Sequence, residues 1–320
     1  MNHQPETSPV SSSVSMTPIA QAQPLDMALL VVLGVIWGAS FSAIKVAVAT
    51  IGPMSIAAGR IALGAVIVLI ALRVMGKVLP RDPRTLGLIA LTALFNCALP
   101  FFLIAWGEQT VDSAVAALLM GTGPLLALAL AHLTTNDEKL TTVKVVGALM
   151  GLAGVLWVVG PAALHAHAGT FWGQMAIVGA AAAYAGSGAI ARRIHGVSNV
   201  SMTALVLVFA TLITVPLSLA FEQPWTFTPS PESLLALAYL GTLPTAGAFL
   251  IRYFILKRAG YGFASMTSYV VTVSGVIWGA LFLAEPITPV MLAALALVLG
   301  GVAVSRLRLR WRWGWRSGKD

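Results

Sequence analysis

The chain has 320 residues, of which 58% are hydrophobic and only 9% are charged, and its mean hydropathy is +0.90. Soluble domains carry about 25% charged residues, so this composition excludes an ordinary soluble enzyme or binding module. The formal net charge is +8 at pH 7, and most of the cations lie outside the apolar segments. The composition therefore indicates a membrane protein.

Ten apolar stretches can be laid out along the chain, each about as long as the 20 residues that a helix needs to cross a bilayer. They contain much Ala, Leu and Gly and show no alternation of polar and apolar residues, which favours helices over the strands of a barrel. We predict an all-α polytopic membrane protein with ten transmembrane helices. Stretches 1 to 10 cover residues 25–49, 55–74, 85–107, 112–132, 141–160, 171–191, 199–220, 233–255, 263–283 and 287–306.

The sequence also repeats weakly at a shift of 147 positions. Two halves of five helices each must have opposite topology, because five is an odd number, and inverted repeats around a central cavity are typical of secondary carriers. We therefore predict one repeat over 25–160 and a second over 171–306. The matched pairs are Glu138 and Glu285, Thr141 and Thr288, Gly154 and Gly301, Trp37 and Tyr184, Ser40 and Ser187, and Lys45 and Arg192.

The distribution of cations predicts the orientation. All Lys and Arg residues except Lys45 and Arg60 fall on one side of the predicted bundle, which places both termini in the cytoplasm. Residues 1–24 read as a disordered polar tail. Residues 307–320 alternate Arg with Trp and are expected to contact anionic lipid, not nucleic acid.

Several local motifs resemble one family. Gly34-Val35-Ile36-Trp37-Gly38-Ala39-Ser40-Phe41, Arg60, Gly123-Pro124 and the two Glu-x-x-Thr turns each followed by Gly-Val are similar to the EamA-type branch of the drug/metabolite transporter superfamily. The chain departs from the pattern at Val271 and Pro286. Within the superfamily it resembles the YddG-like bacterial amino-acid exporters. The resemblance implies a bacterial inner-membrane exporter of small metabolites, with no cofactor and a central cavity formed by stretches 1, 3, 4, 6, 8 and 9.

The candidate binding residues are the aromatic and polar residues deep in those stretches. Asn96 is the strongest, because a buried primary amide needs water, a substrate or an interhelical hydrogen bond. Pro100, Pro124 and Pro244 either kink their helices or aim the freed carbonyls of Asn96, Met120 and Leu240 at the cavity. The predicted substrate-binding residues are Trp37, Ser40, Asn96, Phe101, Tyr184, Ser187, Tyr239 and Thr272.

Two charged residues near helix ends have a possible charge role. Arg60 could attract a substrate carboxylate, pair with Glu108 or extend to the headgroups. Glu108 is expected at the outer rim of stretch 3. No Asp or Glu lies at the middle of any stretch, so we expect transport down the substrate gradient without strict proton coupling. His165 and His167 have no third ligand nearby in sequence, so no metal site is expected.

These features favour a carrier that exports neutral or aromatic amino acids by alternating access. Other small metabolites or cationic drugs are the alternative substrates. A channel needs a continuous polar stripe, which no stretch shows, and a membrane-embedded enzyme needs acidic or His clusters that the loops do not supply. The expected partners are the substrate and membrane lipids, and the expected assembly is a monomer or a weak homodimer.

Overall fold

The structure is a computed structural model and describes residues 23–134, 142–164, 168–264 and 266–305. All the regular elements in these ranges are helical. Two π-helical segments, Leu94–Ala98 and Gly241–Gly247, interrupt longer helices, and Pro224–Thr226 forms a short 3₁₀ turn. The α-helices are α1 (Pro24–Ala47), α2 (Pro53–Val74), α3 (Pro83–Ala93), α4 (Leu99–Gly107), α5 (Ser113–Met120), α6 (Gly123–Thr134), α7 (Thr142–Leu164), α8 (Ala168–Ala191), α9 (Asn199–Phe221), α10 (Pro231–Leu240), α11 (Ala248–Ala264), α12 (Thr267–Leu283) and α13 (Pro289–Ser305).

Within the described ranges, seven helical runs are long and apolar enough to cross a membrane. Each of them lies on one of the predicted stretches. Stretches 5, 9 and 10 coincide with shorter apolar runs, Val145–Val159, Thr267–Leu283 and Pro289–Val304. The all-helical prediction therefore holds for the described chain, and the count of ten transmembrane helices stays a prediction. The seven runs are Pro24–Ala47, Pro53–Val74, Pro83–Gly107, Ser113–Leu130, Gly169–Ala191, Asn199–Phe221 and Pro231–Arg252.

The helix starts follow from local sequence signals. Proline opens several helices, because its fixed φ suits the first turn and its missing N–H would have no partner there. The Asp82 carboxylate accepts from the Thr85 N–H at 2.8 Å and caps α3. Ser198 and Ser230 cap α9 and α10 in the same way, each accepting from the N–H three residues on.

Helices α2 and α9 run antiparallel. At one end, the Ser55 N–H near the start of α2 donates to the Glu222 carboxylate, just beyond the end of α9, at 2.8 Å. At the other end, the Ser201 hydroxyl near the start of α9 donates to the Val78 carbonyl, beyond the end of α2, at 2.9 Å. Each helix start therefore lies against the other helix's end.

Helices α7 and α13 also run antiparallel and contact each other through glycine. A Cβ at Gly154 would lie 2.9 Å from the Ala294 carbonyl, and a Cβ at Gly301 would overlap the Gly147 carbonyl. Gly154 and Gly301 are partners in the 147-residue repeat, and so are Gly147 and Ala294. The two contacts are thus equivalent, and small residues allow the backbones this close approach.

The prolines act differently from the sequence-based expectation. Pro100 follows the π-helical segment Leu94–Ala98, and Pro124 lies at the start of α6 after a turn at 121–122, so it kinks no continuous helix. Pro244 lies inside the second π-helical segment. The Leu240 carbonyl accepts the Thr245 hydroxyl at 2.7 Å, so the expectation that Leu240 offers a free carbonyl to the cavity is wrong.

Some predictions concern residues outside the described ranges. They include the first Glu-x-x-Thr turn at Glu138 and Thr141, the pair His165 and His167, and the tails 1–22 and 306–320.

Candidate functional site

Arg60 is the charged residue at the centre of the predicted site. Its side chain is only 4% exposed, so it does not extend to the headgroups. The guanidinium lies 3.8 Å above the centre of the Phe101 ring, and its Nε and Nη2 lie 3.4 and 3.3 Å from the Thr245 hydroxyl. These are long hydrogen bonds to a neutral partner. Within the described chain the one ion pair joins Asp26 to Arg258, so Arg60 is a buried cation without a carboxylate partner.

Asn96 and Ser187 form the second part of the site. The Ser187 hydroxyl lies 3.2 Å from the Asn96 Oδ1 and 2.8 Å from the Tyr184 carbonyl of its own helix. The Asn96 Nδ2 has the Cys97 sulfur, at 3.7 Å, as its hydrogen-bond partner. Sulfur is a weak acceptor, so the amide N–H groups keep most of their capacity to donate.

Trp37 joins α1 to the second π-helical segment. Its indole Nε1 donates to the Pro244 carbonyl at 2.9 Å, and its ring meets Phe249 edge-on with the ring centres 6.3 Å apart. The Arg252 guanidinium lies 5.7 Å from the Trp37 ring centre. Arg252 lies within α11, inside predicted stretch 8, and is half-buried.

The remaining predicted binding residues are held by backbone carbonyls. The Tyr239 hydroxyl donates to the Ile36 carbonyl at 2.8 Å, which joins α10 to α1. The Ser40 hydroxyl lies 3.3 Å from the same carbonyl. Thr272 donates to the Ser268 carbonyl of its own helix at 3.0 Å, and the structure does not bring it to Arg60.

Electrostatic proximity connects these parts. Arg60 lies within electrostatic range of Tyr184, Tyr239, Cys97 and Glu108, and Tyr184 is also within range of Arg252. Aromatic rings, a primary amide and two guanidinium groups therefore share one region. We call this set the central cluster, and it consists of Trp37, Arg60, Asn96, Phe101, Tyr184, Ser187, Tyr239, Thr245 and Arg252.

Three polar junctions tie the two halves together at one end of the bundle, which we call the acidic end. The Glu222 carboxylate accepts the N–H groups of Met54 and Ser55, each at 2.8 Å. Thr50 donates to the Ser233 hydroxyl at 2.8 Å. The acidic end contains Glu108, Asp112, Glu222, Glu232 and Glu285.

Glu285 forms the third junction. Its carboxylate accepts the N–H groups of Ser113 and Ala114, each at 2.8 Å, and lies 3.1 Å from the Ser113 hydroxyl. Like Glu222, it neutralises the partial positive charge at a helix N-terminus, here that of α5. Both carboxylates come from the second half and hold a helix start of the first half, so hydrogen bonds join the two halves at the acidic end.

Glu108 lies at the end of α4, as the sequence suggested, but not on an exposed rim. It is 0% exposed, and neither carboxylate oxygen has a hydrogen-bond partner in the described part of the chain. Its predicted pairing with Arg60 is therefore not formed. Lys45 donates to the backbone carbonyls of Glu108 and Val111, each at 2.8 Å, so it holds this turn.

Two contacts of the site were not predicted from the sequence, that of Thr245 with Arg60 and that of Arg252 with the Trp37 ring. Thr245 directly follows a proline, and its hydroxyl satisfies the Leu240 carbonyl while its oxygen faces Arg60. A threonine after a proline in an apolar run was the available signal. For Arg252 the signal was its position within stretch 8, near the predicted end at 255.

A model of the EamA-like transporter family matches residues 25–160 and again residues 171–307. The chain belongs to the EamA-like transporter family. It is accordingly a multi-pass membrane protein, and its family and relatives are transporters and not enzymes.

Curated relatives cover most of the chain at modest identity. The uncharacterized transporter YoaV of Bacillus subtilis is 26% identical over 83% of this chain and 91% of its own length. The uncharacterized inner membrane transporter YedA of Escherichia coli is 25% identical, with 90% and 92% covered. A probable terminal-alkyne amino-acid exporter of Streptantibioticus cattleyicolor is also 25% identical, with 85% and 90% covered.

A solved crystal structure has the same fold. It superposes with a TM-score of 0.65 over 89% of this chain and 98% of the other, at 21% identity.

Proposed function

We propose that this EamA-like transporter exports small metabolites that carry a carboxylate, with neutral and aromatic amino acids as the preferred class. The observation that carries the proposal is the buried Arg60 guanidinium, which has no carboxylate partner within the described chain. An unpaired buried charge is costly, and a bound carboxylate offsets that cost. Arginine also binds carboxylates through two parallel hydrogen bonds, which fixes the orientation of the ligand.

The rest of the central cluster suits the other groups of an amino acid. The rings of Phe101, Tyr184 and Tyr239 offer apolar area to a side chain, and the faces of Tyr184 and Tyr239 attract an ammonium group. The Asn96 amide oxygen can accept from the same ammonium. A phosphate or nucleotide sugar calls for several buried cations, whereas in the central cluster only Arg60 is a fully buried one. The similarity to a probable amino-acid exporter points the same way.

For the mechanism we propose alternating access between two inverted halves in a bacterial inner membrane. The antiparallel pairs α2 with α9 and α7 with α13 support this arrangement, because each joins repeat-equivalent helices that point in opposite directions. We assign the acidic end to the outside and both termini to the cytoplasm, from the distribution of cations. We further propose that the hydrogen bonds between the halves at the acidic end keep the outer side closed in this state.

The orientation is tested by reporter fusions after Lys319. We expect activity from a reporter that folds in the cytoplasm and none from one that works only in the periplasm. The opposite pattern would reverse the assignment of the acidic end. Fusions placed in the loop between α1 and α2 should report the other side of the membrane.

The substrate class is tested by counterflow in proteoliposomes with the twenty amino acids. Saturable counterflow by the parent protein distinguishes a carrier from a channel. Arg60→Gln should lower the rate for the best substrate by about 10- to 100-fold, since a hydrogen bond to a charged group contributes about 1.5–3 kcal/mol. Arg73→Gln, exposed at the other end of the same helix, is the control. Arg60→Gln transport at the parental rate would exclude Arg60 as the carboxylate contact.

A further inference from the structure

Glu108 is a buried ionisable side chain that the proposed transport site does not use. It is fully buried at the end of α4, and both of its carboxylate oxygens lack a hydrogen-bond partner in the described chain. A carboxylate that is ionised, buried and unpaired is strongly destabilising, because it loses its hydration and gains nothing in return. A carboxylic acid avoids most of this cost, so the burial of Glu108 in this structure favours a proton on its carboxylate.

A second buried side chain in the described part of the chain also has an oxygen without a hydrogen-bond donor. This oxygen is the Oε1 of Gln174 on α8. Gln174 follows Gly173, whose carbonyl would lie 2.6 Å from a Cβ at Gly107. The unsatisfied acceptors thus flank one close contact between α4 and α8, and a proton on Glu108 supplies a donor there.

The charged groups within electrostatic range of Glu108 are Lys45 on α1, Glu285 after α12 and Arg60 on α2. Lys45 is half-buried, and its ammonium is already committed to the backbone carbonyls of Glu108 and Val111. Glu285 carries the same charge as an ionised Glu108 and opposes its ionisation. Asp112, on the same turn, is exposed. On α8 the residues around Gly173 are uncharged.

We propose that Glu108 is a proton-binding site whose occupancy holds the acidic end closed. When the proton leaves, the Glu108 carboxylate attracts the Lys45 ammonium. The ammonium then no longer binds the Glu108 and Val111 carbonyls, so the 108–111 turn is released. That turn leads directly into Ser113, where Glu285 ties the second half to α5. Loss of the proton therefore loosens the junction between the halves at this end.

The direction in which pH shifts the equilibrium between closed and open states depends on which state binds the Glu108 proton more tightly. The closed state does so, because it buries Glu108, whereas in an open state water reaches the carboxylate. Lowering the pH therefore favours the closed state, and raising it favours the open state. For a single proton, the ratio of open to closed states changes by at most about tenfold for each pH unit.

The test measures exposure of the turn and needs no substrate. Val111 is 2% exposed, and Cys97 is the chain's single cysteine, so Val111→Cys in a Cys97→Ala background gives one buried reporter thiol. Its reaction rate with a charged maleimide is followed from pH 5 to pH 9 in lipid nanodiscs. Gln109→Cys, exposed on the same turn, corrects for the pH dependence of the thiol itself.

We expect the corrected rate at position 111 to rise with pH, by up to about tenfold per unit across the transition. Adding Glu108→Gln, which mimics the protonated acid, should keep the rate low at every pH. The proposal is overturned if Glu108→Gln leaves the pH dependence unchanged, or if the Val111→Cys thiol reacts at one corrected rate throughout. The proposal rests on the proposed transporter function. The maleimide experiment and the Arg60→Gln counterflow experiment measure different things, so either one can fail without changing the outcome of the other.

Discussion

The indole N–H of Trp37 donates to the Pro244 carbonyl at 2.9 Å, so a side chain of the first half is bound to the backbone of the second. The acceptor lies in the π-helical segment Gly241–Gly247. The phenol of Tyr239 returns the contact by donating to the Ile36 carbonyl at 2.8 Å. Two aromatic side chains thereby fix α1 against α10 and the segment that follows it.

Trp37→Phe keeps a ring at this position and removes the indole N–H. We expect a destabilisation of about 1–3 kcal/mol, because the buried Pro244 carbonyl loses its donor. Thermal unfolding of the purified protein measures the effect. Trp172→Phe, with a side chain 60% exposed on α8, is the control and should leave the melting temperature unchanged. Equal melting temperatures for both variants would show that the hydrogen bond contributes nothing.

Asn96 and Ser187 should act as a coupled pair. Asn96→Ala should lower transport severalfold, and Ser187→Ala should lower it less, because its hydroxyl also bonds within its own helix. A double-mutant cycle on the counterflow rate should give a coupling energy of about 1 kcal/mol. Strictly additive effects would mean that the hydroxyl and the amide do not act together during transport.

Glu285→Gln should weaken the closed acidic end. The amide keeps the shape of the side chain but loses the charge that attracts two backbone N–H groups at the start of α5. We expect a loss of stability of about 1.5–3 kcal/mol, since these are hydrogen bonds to a charged group at a helix N-terminus. Glu232→Gln, exposed at the start of α10, is the matched control. Thermal unfolding compares them, and equal midpoints would argue against a structural role for the charge.

Gly301→Ala tests the close pairing of α7 with α13. An added methyl would overlap the Gly147 carbonyl, so the two helices must separate. Overpacking of this kind costs about 1–3 kcal/mol. Gly186→Ala is the control, because a Cβ at Gly186 meets nothing within 4 Å. A variant at position 301 as stable as the parent would mean that these helices can move apart freely.

The sequence predicted the helices well because the apolar runs are long and their ends carry proline and capping residues. The family resemblance also grouped Asn96, Tyr184 and Ser187 in one predicted site, and in the structure the Ser187 hydroxyl lies within hydrogen-bond distance of the other two residues. The sequence could not predict where side chains lie around a π-helical segment, because one extra residue per turn rotates everything that follows. Arg252 and Thr245 both lie at or after such a segment.

The burial of Glu108 was equally hidden from the sequence. A glutamate followed by Gln, Thr and Val after an apolar run is typical of a residue at the surface. The close approach of Gly107 to α8, and the cover that Lys45 provides from α1, are tertiary contacts between segments far apart in the chain. Local sequence signals carry no information on contacts of this range.

The equivalent glycine contacts between α7 and α13 have a consequence for assembly. The repeat relates the contact of Gly154 with Ala294 to that of Gly301 with Gly147, so each half presents the same contact surface to the other. The two halves therefore do not need the peptide connection between them in order to associate. A chain cut between α7 and α8 should therefore reassemble in the membrane when its two fragments are produced together. Each fragment offers its partner one copy of the same complementary surface.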